Sequence, residues 1–179
     1  MVIAMHKKRI KMEIIGFVFV SILGTLCHFF YEWSGYSNVV GMFCPINEST
    51  WEHLKLLWFP FLIWTIAEYF ILDKPSGYWA PKCTGILIGL TATTSFYYTY
   101  YGIGGKGIMF WDVFSFFLGV AAAFITGYLL NQCKIFQKPA AQAAALILFI
   151  GVSVIFVIFT FSPPLIPWFR DPMSLTYGI

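Results

Sequence analysis

Five long apolar runs, separated by short polar breaks, dominate the chain. They cover residues 12–33, 54–72, 81–103, 108–130 and 140–162. A helix of about twenty residues, rising about 1.5 Å per residue, crosses a hydrocarbon core of about 30 Å. Strands are excluded, because so few membrane strands cannot close a barrel and an open edge leaves backbone groups unpaired in lipid. The pattern predicts an all-α transmembrane bundle with five spans, the second helix starting as early as Asn47. The breaks carry strong helix stops. Asp73-Lys74-Pro75-Ser76-Gly77 ends the second run, Gly102 to Gly107 joins the third and fourth, and Ser162-Pro163-Pro164 ends the fifth. No composition shift or internal repeat divides the chain, so residues 1–179 read as a single integral membrane domain.

Composition supports this reading. Only 11% of residues are charged and 59% are hydrophobic, whereas a soluble domain carries about 25% charged residues. Such a chain needs lipid to cover it. The basic cluster Lys7-Lys8-Arg9 with Lys11 precedes the first run. Beside a span it is a topology signal, and it is far too small to imply a nucleic-acid partner. With the N-terminus inside, the inner segments hold eight of the 11 Lys and Arg residues: Lys7, Lys8, Arg9, Lys11, Lys74, Lys82, Lys134 and Lys138. Lys55, Lys106 and Arg170 fall outside. The N-terminus is therefore expected in the cytoplasm and the tail after residue 162 outside. The first run is too long for a signal-peptide core and lacks a small-x-small cleavage site, so it reads as a retained span.

Two patterns suggest close helix packing. Gly85 and Gly89 lie four apart, and Gly119, Ala123 and Gly127 form a small-residue stripe. Such stripes let helices approach closely in lipid, here as an internal seam, with a dimer face as the alternative. The four cysteines, Cys27, Cys44, Cys83 and Cys133, show no CxxC spacing and read as small apolar residues. Cys27 and Cys44 fall on the same side of the membrane, where a disulfide is chemically open to them.

Ionisable groups inside a membrane are costly and need a reason. His28 and Glu32, at i and i+4, share one face near the outer end of the first span. Asp112 enters the fourth span to a similar depth, roughly 6–8 Å from the surface by helical rise. The segment Cys44-Pro45-Ile46-Asn47-Glu48-Ser49-Thr50-Trp51-Glu52-His53-Leu54-Lys55 is the densest polar stretch and enters the second span from that side. The third span adds hydroxyls from Thr93 to Tyr101. Glu68 stands apart, nearer the inner face, with Lys74 or Lys82 as candidate partners.

Two histidines with carboxylates are a ligand set for zinc or another divalent metal. The candidate metal ligands are His28, Glu32, His53 and Asp112, and the candidate catalytic bases are Glu48 and Glu52. On a continuous helix Glu48, Glu52 and Lys55 share one stripe and His53 lies off it, so one ion cannot easily use all of them. A plainer reading also exists. Ser49-Thr50-Trp51-Glu52 matches a capping box, and Glu52 with Lys55 matches a surface ion pair of little energy.

The strings LCHFFYEWSG (26–35) and PINESTWEHLK (45–55), with the tail Pro163-Pro164, Asp171-Pro172 and Tyr177-Gly178, resemble a family of small bacterial multi-pass membrane proteins of unknown function. The resemblance implies a bacterial inner membrane location and brings no activity. The paired HxxxH of the seven-span hydrolases related to alkaline ceramidases is absent, which leaves only a loose analogy. Three readings follow. The first is a metal-dependent hydrolase or transferase acting on membrane lipid. The second is a small transporter or channel, and the third a membrane assembly or binding protein.

Overall fold

The computed structural model describes residues 2–179, with side chains from His6 onward. The apolar runs fold into helices. α1 spans Val2–Trp33, α4 Lys55–Ile71, α5 Trp79–Gly104, α6 Met109–Leu130 and α7 Pro139–Phe161. Two short helices, α2 (Asn38–Gly41) and α3 (Thr50–His53), lie between α1 and α4. α1 starts well before its apolar run, because the Lys and Arg residues before Met12 are good helix formers. α5 ends where Gly105 takes a left-handed φ of 68° that closes its last turn. Successive long helices run in opposite directions. The bundle therefore has an N-terminal end and a tail end, the latter gathering the end of α1, the start of α4 and the C-terminal tail.

Four helical segments are long and apolar enough to cross a membrane: His6–Trp33, Thr50–Ile71, Met109–Leu130 and Pro139–Phe161. α5, the third of the five expected spans, has the length but is not among them. Its second half carries Thr91, Thr93, Thr94, Ser95 and a run of tyrosines, which lower its hydropathy. Several of its hydroxyls are satisfied within the helix. Thr84, Thr91 and Thr99 each donate to the carbonyl one turn back, at 3.0, 2.8 and 2.7 Å.

The α3–α4 segment is the central element. Of its most apolar stretch 61% is buried, against 22–33% for the other three candidate spans. Trp58, Phe61 and Phe156 are fully or almost fully enclosed. α5 and α6 pack through the small-residue stripe as an internal seam. A Cβ at Gly89 would stand 2.6 Å from the Gly119 carbonyl oxygen, and one at Gly85 would run into the Ala123 carbonyl. α1 and α4 also touch backbone to side chain. A Cβ at Gly24 would stand 2.5 Å from the Leu56 carbonyl, the one that Pro60 leaves without its helical N–H partner.

Two ionic knots are buried in the bundle. At the tail end, Lys55 is fully enclosed and donates to Glu52 Oε2 (2.6 Å), Gly41 O (2.8 Å) and Thr160 Oγ1 (2.5 Å). It thereby ties α2, α3 and α7 together. The Glu52–Lys55 pair is thus interior, not the weak surface pair that the spacing suggested. At the N-terminal end, Lys82 bridges Glu13 Oε2 and Glu68 Oε2, both at 2.7 Å. Tyr78 donates to the same Glu68 oxygen at 2.7 Å. Lys82 is therefore the partner of Glu68, and Glu13, one residue inside the first apolar run, joins them.

Candidate metal centre

The tail-end site begins with how the chain enters α3. Asn47 Oδ1 accepts the Ser49 N–H at 3.0 Å, a tight local turn. Ser49 is the N-cap of α3, and its Oγ accepts the Glu52 N–H at 3.3 Å. Glu52 does not close the capping box on Ser49. Its Oε2 reaches further back and accepts the Ile46 N–H at 3.1 Å. Glu48 therefore lies before the helix, in a bend, and is released from the stripe it would share with Glu52.

That release lets Glu48 swing to the His53 side. His53 Nε2 lies 3.4 Å from Glu48 Oε2, and His28 Nε2 lies 3.9 Å from Glu48 Oε1. The two imidazole centroids are 5.2 Å apart. Ligand atoms of His28, Glu48 and His53 all fall within 4.8 Å of one another. The α1–α4 register explains why residues so distant in sequence meet. Gly24 sits at Leu56, and one helical turn onward in α1, one turn back along α3–α4, His28 sits at His53.

The protonation pattern is informative. His53 Nδ1 lies 3.0 Å from the Ser49 carbonyl. A carbonyl only accepts, so Nδ1 carries the proton and the neutral ring presents the Nε2 lone pair to the Glu48 carboxylate. Two states relieve that repulsion: a second proton on the ring, or a cation between the two groups. The Nδ1–carbonyl bond is also the second-sphere contact that orients metal-binding histidines. The hydrogen bond from His53 holds the Glu48 carboxyl below the ordinary carboxylate range, against partial burial, and both imidazoles add to the lowering while Asp171 opposes it.

A tetrahedral ion with bonds of about 2.0–2.1 Å holds its ligand atoms about 3.4 Å apart. The His53–Glu48 distance already matches, and His28, at 3.9 Å from Glu48, would have to move inward to complete a His-His-Glu set. The side chains of His28, Glu48 and His53 are 35%, 50% and 33% exposed, so an ion held by them would remain in reach of water or substrate. Three protein ligands and one open position are the arrangement of catalytic zinc.

The other candidate residues lie elsewhere. Glu32 is exposed and outside the cluster. Asp112 sits in the first turn of α6, where a carboxylate favours the helix dipole, and accepts a hydrogen bond from Tyr100. Glu52 is 2% exposed and bound to Lys55, so it is no free base at this site. Sequence reasoning missed Glu13. A census of every charge within the apolar runs would have found it.

A family model described as "Family of unknown function (DUF6512)" matches residues 1–179. The chain belongs to that family. Membership covers the whole length, so the tail-end cluster and the Glu13–Lys82–Glu68 knot both lie within the family's domain. No curated protein and no solved structure matches the chain.

Proposed function

We propose that the protein is a five-span bacterial inner membrane protein, with α5 as the fifth span and the N-terminus in the cytoplasm. Its extracytoplasmic end would bind one divalent ion of the zinc class through His28, Glu48 and His53. The centre would promote hydrolysis or group transfer on a lipid-type substrate. One observation carries the reading: His53, with Nδ1 engaged on Ser49 O, presents Nε2 to Glu48 beside His28. Glu48 then serves as a ligand, where the sequence suggested a base. When bound, the ion supplies a Lewis acid and a water of lowered pKa. The protein's share is to set three ligands, leave the fourth position open and hold it at the edge of the bilayer. Orientation follows from the basic residues, which concentrate at the N-terminal end.

Elemental analysis of detergent-purified protein tests the reading. The expected result is one Zn, Mn or Fe per chain in the native protein and none in a His28→Ala/His53→Ala variant of unchanged melting temperature. Metal-free native protein that also ignores added zinc would sink it.

The Glu13–Lys82–Glu68 knot supports a second reading, a small transporter, because the end opposite the cluster is also ionisable. Reconstituted protein should then move protons or divalent ions across a vesicle wall. A Glu68→Gln variant that is stable yet moves them at the native rate would end this alternative.

A further inference from the structure

The cysteines divide between the two ends of the bundle. Cys83 lies near the start of α5 and Cys133 in the connection between α6 and α7, both at the N-terminal end. Cys27 and Cys44 lie at the tail end. Cys27 precedes His28 on α1 and is 6% exposed, while Cys44 lies four residues before Glu48 and is 5% exposed. The two share a small apolar cluster with Leu56, closed by Leu23, Phe30, Val40 and Phe116. Within it the thiols are direct neighbours, each close enough to interact with the other's sulfur. Among the described residues no other cysteine stands at that end.

Paired thiols can remain reduced as packing groups or join. The compartment decides, since disulfides persist outside the cytoplasm and are rare within it. We propose that Cys27 and Cys44 form a disulfide in the mature protein, stapling the 42–49 segment to α1 beside the His28–Glu48–His53 cluster. The link joins the residue before one candidate ligand to the loop that carries another. It rests on the topology proposed above and not on the metal reading.

The local chemistry suits thiol–disulfide exchange. Contact with Cys27 holds the Cys44 thiol below the ordinary thiol range, burial opposes this, and the Lys55 ammonium adds to the lowering. Cys44 attacks while the 42–49 segment is still unpacked, since both thiols are buried once it closes on α1. Attack on an extracytoplasmic protein disulfide forms a mixed disulfide and expels one thiolate of the donor. The Cys27 sulfur, losing its proton to solvent, then attacks Cys44 Sγ and expels the second. One S–S bond forms in this protein and one breaks in the donor. Two electrons pass to the donor, which leaves as a dithiol.

The test is a thiol count by mass. Membranes are quenched with N-ethylmaleimide at lysis, and the protein is purified without reductant, denatured by heat in detergent with fresh N-ethylmaleimide present, and weighed. The expected product carries two adducts before reduction, on Cys83 and Cys133, and four after reduction and fresh alkylation, one per cysteine. Peptide mapping should recover a Cys27–Cys44 cross-link, and Cys27→Ser should free Cys44 for alkylation. Four adducts without reduction, or a cross-link between other cysteines, would overturn the proposal. The two readings fail separately. Free thiols with stoichiometric metal would refute only the disulfide, and a disulfide without metal would refute only the metal centre.

Discussion

At the residue scale, the position of one proton links His53 to metal affinity. Because Ser49 O engages Nδ1, zinc must displace the proton that otherwise bridges Nε2 to Glu48. Binding should therefore release a proton and tighten as pH rises. Zinc titration by calorimetry in two buffers of different ionisation enthalpy measures this directly, and Glu48→Gln should weaken binding by about tenfold or more. Glu48 also sets a stability window. Its folded pKa lies below the unfolded value. Its contribution is therefore present above the ordinary carboxylate pKa of about 4.3 and fades as pH falls through the folded value. Thermal melts in detergent from neutral to acid pH should show that fall in metal-free protein, shallower in Glu48→Gln.

Lys55 is the residue whose role sequence spacing least reveals. Glu52 at i−3 suggested a solvated pair, but the structure encloses both side chains. Lys55→Met leaves the Glu52 carboxylate buried without its cation, which should cost about 3–5 kcal/mol. The Lys55→Met/Glu52→Gln double variant should recover part of the loss, because no uncompensated charge remains. Denaturant or thermal unfolding of the three variants checks this order. Apolar spacing cannot show such a role, since Thr160 and Gly41, the other partners of Lys55, come from distant segments.

At the element scale, the helices were largely legible in the sequence. The runs at 108–130 and 140–162 became Met109–Leu130 and Pro139–Phe161, and the Gly and Pro breaks fell between helices as expected. The seam was legible too, because small residues four apart leave a groove that a neighbouring backbone fills. Gly89→Ala should force α5 and α6 apart, costing about 1–3 kcal/mol, since its Cβ would press on backbone rather than on a movable side chain. Gly151→Ala on α7 meets nothing within 4 Å and should leave melting unchanged. Equal losses at both sites would show that the seam is not the tight contact. Where α3 begins was less legible. The helical stripe joining Glu48 to Glu52 fails because Ser49 caps the helix and leaves Glu48 outside it.

At the scale of the whole molecule, topology decides what chemistry each end can meet. Cys133 is exposed at the N-terminal end, which the proposed orientation puts in the cytoplasm. A membrane-impermeant maleimide should miss it in intact cells and label it after lysis. Labelling in intact cells would invert the protein and carry the His28–Glu48–His53 cluster to the cytoplasmic side.

The sequence by itself determined that this is an apolar helical chain, where its helices break and which helices carry glycine stripes fit for close packing. Those properties follow from local composition and period, and lipid imposes them on any chain so built. Only the tertiary structure decided which ionisable groups meet. The α1–α4 register set His28 against His53, the Ser49 cap freed Glu48 to reach both, and long-range packing enclosed Lys55 and Lys82. Each contact joins residues that no helical period relates, so only the fold could show it.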